Sequence, residues 1–383
     1  MITEKIKYIG VNDREIDLFE GQFEVPNGMA YNSYVILDEK VAVLDTVDAK
    51  FGDEWLKNLE RELDGRAPDY LIVHHMEPDH SANIDRFARE YPSATIVATD
   101  LAFGMMKKFF GTDYETRRLS VKDSDTLSLG AHTLTFYTAP MVHWPEVMMS
   151  YESSEGILFS ADAFGKFGAL DADEDWACEA RRYYFGIVGK YGAQVQTVLG
   201  KLGALKINMI CALHGPILKE NLSYYIDLYN TWSSYGVESE GVGIFYTSVY
   251  GNTKAAAELL ARELEAGGCK KVAINDLARC DMAEAVEDAF RYGRIVLATT
   301  TYNSEIFPFM NTFIHALTER GYKNRTVAII ENGSWAPVAA RVIKKMLDGS
   351  KNITYIEPAI TIHSALTDKN REEISALAKA LAN

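Results

Sequence analysis

One short segment of the chain, HHMEPDHSANID (His74–Asp85), is unusually rich in side chains that bind metals. It combines imidazole and carboxylate groups, and the apolar run DYLIV precedes it. We therefore expect a loop at the carboxyl end of a β-strand, where proteins often carry functional residues. A polar surface loop is the alternative explanation for this stretch alone. The segment contributes four candidate metal ligands: His75, Glu77, Asp79 and His80.

Three further candidate ligands also follow apolar, strand-like runs. His143 comes after TLTFYTA, Asp162 after GILFS, and His214 after INMICAL. Each should lie where a strand ends, so all of these side chains could meet at one site. Neighbouring residues of an extended chain point in opposite directions, so only one of His74 and His75 should face that site. We favour His75, and the role of His74 stays open.

A second group of candidate residues forms three loops in the C-terminal half. The loop TSVYGNT lies between the strand GIFY and a helix, and the helix N-terminus with its hydroxyls and amides suits one phosphate monoester. The loops TTTYNSEIF and ENGSWAP follow later strands, and each places an aromatic residue beside small polar residues, which suits a flat ring. In any single loop the hydroxyls could simply cap a helix. The candidate binding residues are Thr247, Ser248, Val249, Tyr250, Gly251, Asn252, Thr253, Thr299, Thr300, Thr301, Tyr302, Asn303, Asn332, Gly333, Ser334 and Trp335.

The pattern of strands and helices that must position these residues divides the chain into two halves. Up to about Phe164, short β-branched runs alternate with turns and some helical patterns, which indicates an α/β sandwich; a mostly helical stretch, Arg181–Leu205, follows. Beyond small and acidic residues near Ser233–Glu240, strands and helices alternate five times. That alternation predicts a five-stranded parallel sheet covered on both faces. We predict domains at residues 1–238 and 239–383.

The composition limits the classes of function. A chain of 383 residues favours two domains, and a net charge of −15 argues against nucleic acid or an anionic membrane as a partner. None of the four cysteines belongs to a C-x-x-C pair, so a zinc ribbon or rubredoxin-type iron site is excluded. Scattered cysteines and the absence of an apolar signal sequence or long apolar run predict a cytoplasmic protein.

Taken together, the two halves resemble the flavodiiron proteins. The loop H-x-E-x-D-H, with PMVHWPE and FSADAFG, is similar to the metallo-β-lactamase superfamily, whose usual loop is H-x-H-x-D-H. The three C-terminal loops resemble those of flavodoxin, which binds FMN. The resemblance covers nearly the whole chain. It implies an N-terminal metallo-β-lactamase-like αββα sandwich fused to a C-terminal flavodoxin-like domain with a five-stranded parallel sheet.

The resemblance also implies the cofactors, namely FMN and two iron ions in a non-haem di-iron centre. Glu77 stands where the zinc hydrolases have a second histidine, and its carboxylate makes the site harder and more anionic, which suits iron. The implied ligands are His75, Glu77 and His143 for one iron, Asp79, His80 and His214 for the other, and Asp162 as the bridge.

The implied activity is reduction of dioxygen to water, of nitric oxide to nitrous oxide, or of both. Electrons would come from rubredoxin or another reduced carrier and pass through FMN. The resemblance implies a homodimer, or a tetramer built from it. The chain ends soon after the flavodoxin pattern, so we expect two domains without a fused rubredoxin. The segment from Asp162 to His214 is shorter than is usual in the family.

Two other functions agree with parts of the sequence. The protein could be a zinc hydrolase with an accessory flavodoxin domain, although Glu77 and the intact flavin loops argue against this. It could also be a flavin electron carrier whose first domain has lost its metals, but the complete ligand set argues against that. The preference for oxygen or nitric oxide depends on groups around the ligands, such as Tyr31, Tyr183, Tyr184 and Trp144, whose positions the sequence does not give.

Overall fold

A computed structural model describes residues 2–382 of the chain. Contacts within the chain divide it into two units. The first runs up to Tyr183 and resumes over Ala193–Asn230; the second contains Tyr184–Gly192 and continues from Thr231. The domain limits 1–238 and 239–383 stay a prediction.

Within residues 2–382, no helix has the length and apolar character needed to span a membrane.

Fifteen short strands build the first unit. They are β1 (Ile6–Tyr8), β2 (Val11–Asp13), β3 (Leu18–Phe19), β4 (Phe23–Glu24), β5 (Met29–Tyr31), β6 (Tyr34–Leu37), β7 (Val41–Leu44), β8 (Tyr70–Ile72), β9 (Thr95–Ala98), β10 (Arg118–Ser120), β11 (Thr126–Ser128), β12 (Thr133–Thr138), β13 (Met148–Glu152), β14 (Ile157–Phe159) and β15 (Met209–Cys211). One sheet has the order β1-β6-β7-β8-β9-β10 and the other runs from β11 to β15 in sequence order. Two small antiparallel pairs, β2 with β5 and β3 with β4, complete the set.

The two large sheets share one core. Ile36, Leu44 and Val97 of the first sheet belong to the same buried cluster as Phe136 and Phe159 of the second. The sequence of β12 suits this position. Buried and partly buried side chains alternate along the strand, as expected for a strand with one face on a core. The predicted metallo-β-lactamase-like sandwich is confirmed.

Seven helices accompany these strands: α1 (Gly52–Leu63), α2 (Pro78–Ser81), α3 (Ile84–Glu90), α4 (Asp100–Phe110), α5 (Trp176–Tyr183), α6 (Gly192–Leu202) and α7 (Leu222–Ser233). Helix α1 is amphipathic and buries Trp55, Leu56, Leu59 and Leu63. The Trp55 indole donates to the Ser33 hydroxyl at 2.9 Å, just before β6, so the helix is held against the first sheet. Strands β7, β8 and β9 are parallel, so their carboxyl ends, where ligand-bearing loops begin, lie at one edge.

The second unit is an alternating α/β structure. Its strands are β16 (Ser239–Tyr246), β17 (Val272–Asp276), β18 (Tyr292–Tyr302), β19 (Glu305–Ile306), β20 (Arg325–Asn332), β21 (Ile353–Tyr355) and β22 (Ile360–Ile362), and its helices are α8 (Asn252–Ala266), α9 (Met282–Arg291), α10 (Pro308–Glu319), α11 (Ala339–Met346) and α12 (Asp368–Ala382). The parallel order is β17-β16-β18-β20, with β21 and β22 both pairing with β20. The predicted five-position parallel sheet is therefore confirmed.

The fifth position of this sheet differs from the single strand that TYIEPAI predicts. Two short strands, β21 and β22, share it, and Pro358 lies between them. Because proline has no backbone N–H, it cannot continue the ladder of hydrogen bonds, and the strand is interrupted there.

A segment from the middle of the chain packs within the second unit. It consists of a π-helical turn, Tyr184–Val188, and a 3-10 turn, Gly189–Tyr191. The Phe185 ring stacks on Phe290 with centroids 4.2 Å apart, and the Arg320 Nε donates to the Phe185 carbonyl at 2.6 Å. The second unit is thus discontinuous in sequence, a feature that the strand and helix pattern does not predict.

Candidate functional site

The seven side chains predicted as metal ligands meet in one buried cluster of the first unit. Their ligand atoms form two compact groups, in each of which all atoms lie within 4.8 Å of one another. The first group is His75, Glu77, His143 and Asp162, and the second is Asp79, His80 and His214. The structure therefore brings the predicted residues together, and their role as ligands stays a prediction.

The local backbone explains how one short loop serves both groups. The loop leaves β8 in an extended conformation and places His75 and Glu77 in the first group. Pro78 then begins the single-turn helix α2, a position where its missing N–H costs nothing. The helical turn redirects the next side chains, so that Asp79 and His80 belong to the second group.

Asp162 lies between the two groups. Its Oδ2 atom is 3.4 Å from His75 Nε2 and 3.1 Å from His143 Nε2. Its Oδ1 atom is 3.3 Å from His80 Nε2 and 3.8 Å from His214 Nε2. Each oxygen of this carboxylate thus faces a different group, which is the geometry that a bridging ligand requires.

The charge of the cluster fits two metal cations. Both carboxylate oxygens of Asp79 and of Asp162 are buried without a hydrogen-bond partner in the part of the chain that the structure describes. Burial, together with neighbouring Glu77 and Asp162, raises the pKa of Asp79 to about 7. Burial would also raise the pKa of Glu77, but contacts with His143 and His75 outweigh it and hold that pKa well below its usual range. Buried carboxylates without partners are costly unless cations compensate them, so the residues present fit a di-metal centre.

The three loops predicted for the flavin meet at one edge of the parallel sheet in the second unit. The Thr247 and Thr299 hydroxyls lie 2.7 Å apart and connect the first loop to the second. The Val338 N–H donates to the Thr301 hydroxyl at 2.9 Å and connects the second loop to the third. The hydroxyls of Thr253 and Thr300 are buried, and no other described residue hydrogen-bonds to them. Two buried hydroxyls without partners are what a phosphate or ring substituent would complete.

The aromatic side chains of these loops are unusually exposed. Tyr250 is 94% and Trp335 83% exposed, and Tyr302 and Val249 are also on the surface. Large apolar side chains grouped on a surface indicate a ligand or an interface. The Ser248 hydroxyl accepts the Gly251 N–H at 3.0 Å, so this side chain shapes its own loop. The residues of these loops fit FMN, and their role in binding it stays a prediction.

Comparison with known proteins agrees with this architecture. The family model described as "ODP family beta lactamase" matches residues 29–215, and the flavodoxin model matches residues 244–338. The chain is 29% identical over 349 residues to the anaerobic nitric oxide reductase flavorubredoxin of Salmonella arizonae, covering 88% of this chain and 72% of that protein. The corresponding protein of Vibrio vulnificus is 28% identical, with 87% and 70% covered.

Solved structures are similar over both units. The rubredoxin oxygen:oxidoreductase of Desulfovibrio gigas has a TM-score of 0.91 at 26% identity, covering 100% of this chain and 97% of that one. The flavodiiron protein of Giardia intestinalis has a TM-score of 0.91 at 25% identity, with 99% and 95% covered. The chain is thus similar to the flavodiiron proteins over its whole length. It is an oxidoreductase, and its cofactors are FMN and a non-haem di-iron centre.

Two histidines of the buried His/Asp/Glu cluster are held in place by residues behind them. The His75 Nδ1 atom lies 2.9 Å from the Glu146 Oε1 atom, and the His214 Nδ1 atom lies 2.8 Å from the Ala30 carbonyl. Because a carboxylate or carbonyl oxygen can only accept, Nδ1 is the donor in both contacts, and the Nε2 atom of each ring faces the cluster. Sequence reasoning missed Glu146, although it lies in the segment HWPE just after His143.

His74, whose role the sequence leaves open, does not face the buried His/Asp/Glu cluster. Its Nδ1 atom is 2.6 Å from Asp45 Oδ2, and its Nε2 atom is 2.8 Å from the Ser150 hydroxyl. Its backbone N–H donates to Asp45 Oδ1 at 2.7 Å. His74 is thus a buried structural residue that fixes the start of the ligand loop, and Asp45 is a second supporting residue that the sequence patterns did not reveal.

Aromatic residues surround the cluster. The rings of Phe19, Tyr183 and Tyr31 lie 5.5, 5.4 and 6.1 Å from the His214 ring, and Trp144 lies 5.3 Å from His75. The Tyr183 hydroxyl is buried and has no hydrogen-bond partner within residues 2–382. Burial and the carboxylates of the cluster raise its pKa well above the usual range, so it is a proton-bearing donor.

Proposed function

We propose that this flavodiiron protein reduces nitric oxide to nitrous oxide, dioxygen to water, or both, with electrons from rubredoxin or another reduced carrier. The observation that carries the proposal is Asp162, whose two oxygens face two adjacent groups of donors. Iron ions held by these two groups of side chains, together with FMN, would supply the electrons for the reduction of dioxygen or of a pair of nitric oxide molecules. The relatives named as nitric oxide reductases and as an oxygen oxidoreductase support both activities.

The chain's own residues have separate tasks in this proposal. Three carboxylates and four histidines would hold the metals: His75, Glu77 and His143 at one position, Asp79, His80 and His214 at the other, and Asp162 shared. Phe19 and Trp144 restrict water near the substrate because their rings pack against ligand histidines. The Tyr183 hydroxyl is available to donate a hydrogen bond to a substrate oxygen. The three loops at the sheet edge hold FMN.

Electron transfer from FMN to the metals is proposed to cross between two chains of a homodimer, which could further pair into a tetramer. The exposure of Tyr250 and Trp335 at the flavin loops supports a surface that another chain covers. A two-fold dimer forms two such pairings with one self-complementary interface. The test combines one chain in which His80 and His143 are changed to alanine with another chain in which Thr247, Ser248 and Thr253 are changed to alanine.

Each of these altered homodimers should be inactive, and the mixed dimer should recover one working pair of cofactors. A mixed dimer that stays inactive with both cofactors bound, or an active monomer, would contradict transfer between chains.

The function itself is tested by metal and flavin analysis followed by anaerobic turnover with reduced rubredoxin, comparing oxygen with nitric oxide. We expect two irons and one FMN for each chain, and consumption of at least one of the gases. Zinc with hydrolytic activity would instead indicate a hydrolase with an accessory flavodoxin domain, and FMN without iron would indicate an electron carrier.

A cytoplasmic location is also proposed, because all four cysteines are free thiols in the structure.

A further inference from the structure

The histidines of the cluster differ in the groups that lie behind them. His75 has a carboxylate, Glu146, at 2.9 Å from Nδ1. His214 has a neutral backbone carbonyl, that of Ala30, at 2.8 Å. The His80 Nδ1 atom is buried and has no hydrogen-bond partner among the residues that the structure describes. The two metal positions are therefore supported unequally.

Glu146 is built into the structure as a fixed, buried carboxyl group. Its side chain is fully buried, and its Oε1 atom accepts the Met76 N–H at 2.8 Å as well as the His75 Nδ1–H. The Thr99 hydroxyl donates to the Glu146 carbonyl at 3.1 Å, which fixes the backbone. The Oε2 atom has no hydrogen-bond partner, and no lysine or arginine within residues 2–382 forms an ion pair with this carboxylate.

The group that accepts the Nδ1–H of a histidine affects how strongly its Nε2 atom binds a metal. A carboxylate that accepts the Nδ1–H increases the electron density on Nε2 and strengthens its bond to a metal, the more so for a higher charge on the metal. A backbone carbonyl has a weaker effect because it carries no net charge. A buried anion without a cation is costly, so Glu146 itself is stabilised by positive charge at the His75 position.

We propose that Glu146 makes the His75 position the stronger of the two metal positions. That position binds the first metal ion, and it keeps the ferric ion when only one iron of the pair is oxidised. The inference rests on the proposed di-iron site, but it does not depend on which gas is reduced.

A first test needs no substitution. Metal-free protein is supplied anaerobically with one equivalent of ferrous iron and crystallised, and anomalous scattering gives the occupancy of each position. We expect the His75 position to hold most of the iron. Equal occupancies, or a larger occupancy beside His80 and His214, would overturn the proposal.

A second test separates the charge of Glu146 from its shape. Glu146→Gln keeps an oxygen that can accept the Met76 N–H and has nearly the same size, but it carries no charge. The affinity of the His75 position, measured by competition with a chelator, should fall by about 10- to 100-fold. The reduction potential of that iron should rise, and the electron paramagnetic resonance spectrum of the half-oxidised protein should change. Glu146→Asp should restore part of both properties.

Glu152→Gln is the matched control. Glu152 is also fully buried, but it accepts hydrogen bonds from Ser154 and the Glu155 N–H at the end of β13 and touches no candidate ligand. The Glu152→Gln variant should leave the metal affinity and the reduction potential of the iron unchanged. Unchanged values in Glu146→Gln, or equal losses in both variants, would overturn the proposal. A chain that binds two ions unequally but reduces neither gas would contradict the proposed function and leave this inference standing.

Discussion

Replacing Asp45 by alanine should destabilise the first unit strongly, because within residues 2–382 this side chain is the only hydrogen-bond partner of two buried donors of His74. The two contacts are the backbone N–H at 2.7 Å and Nδ1 at 2.6 Å, and both residues are about 1% exposed. A buried donor left without an acceptor costs about 1–3 kcal/mol, so the two together cost about 2–6 kcal/mol. Asp45 also has a φ of +56°, where alanine adds about 1 kcal/mol of backbone strain.

Asp45→Asn should cost much less, about 1 kcal/mol, because the hydrogen bonds can be kept. The amide oxygen still accepts the His74 N–H, and the amide NH2 can donate to Nδ1 if the imidazole changes its tautomer. The Nε2–H then donates to the Ser150 hydroxyl, which can accept as well as donate. Asparagine also tolerates a positive φ better than alanine does.

Urea unfolding of the metal-free protein, followed by tryptophan fluorescence and circular dichroism, measures both effects. The alanine variant should lose about 3 kcal/mol or more of unfolding free energy. It should also retain less iron, since His75 is the next residue. Ser150→Ala, which removes only the partner of Nε2, should lie between the asparagine and alanine variants. If the alanine and asparagine variants differ by less than about 1 kcal/mol, hydrogen bonding to Asp45 does not hold the loop, and the reasoning is refuted.

Four further predictions concern the metals, the flavin and the surface. Glu77→His should shift the metal content toward zinc and abolish gas reduction while FMN stays bound; two irons with full activity would contradict the role given to the carboxylate. Thr253→Val should weaken FMN binding about tenfold without lowering the melting temperature, since the buried hydroxyl has no partner within residues 2–382. Tyr183→Phe should lower the turnover number more than iron content, measured by stopped-flow kinetics and metal analysis. Burial lowers the pKa of His132, but Asp38 at 2.8 Å outweighs it and the pKa is raised. The stabilisation by this pair is complete below about pH 6.5 and is lost as the pH rises through the folded-state pKa, so His132→Gln should lower the melting temperature more at pH 6 than at pH 9.

The parts of the site that the sequence predicts are those that follow directly from strand ends. Each predicted donor stands within a few residues of an apolar run, and the carboxyl ends of neighbouring parallel strands meet at one edge. His75, Glu77 and Asp79 also lie close together in one loop, so this part of the site can be recognised from the local sequence alone. The same logic located the three flavin loops after β16, β18 and β20.

The supporting residues could not be predicted in this way. Glu146 is 71 positions from His75, and Asp45 is 29 positions from His74, so no local period connects them. Their roles depend on side-chain directions that only the packed sheets determine. The position of Phe185 depends likewise on its ring contact with Phe290, far along the chain.

The discontinuous second unit has a consequence for dividing the gene. A fragment that begins at residue 239 contains every strand of the parallel sheet, yet it lacks Phe185 and the Phe185 and Gly186 carbonyls that accept hydrogen bonds from Arg320. The Phe290 ring is 2% exposed in the intact protein; in the fragment it would lose its stacking partner and become exposed to solvent. Such a fragment should aggregate more readily than one that also carries the 184–192 peptide, supplied as a fusion or added separately. The second unit is therefore compact in structure, but no single continuous stretch of the gene encodes all of it without also encoding part of the first unit.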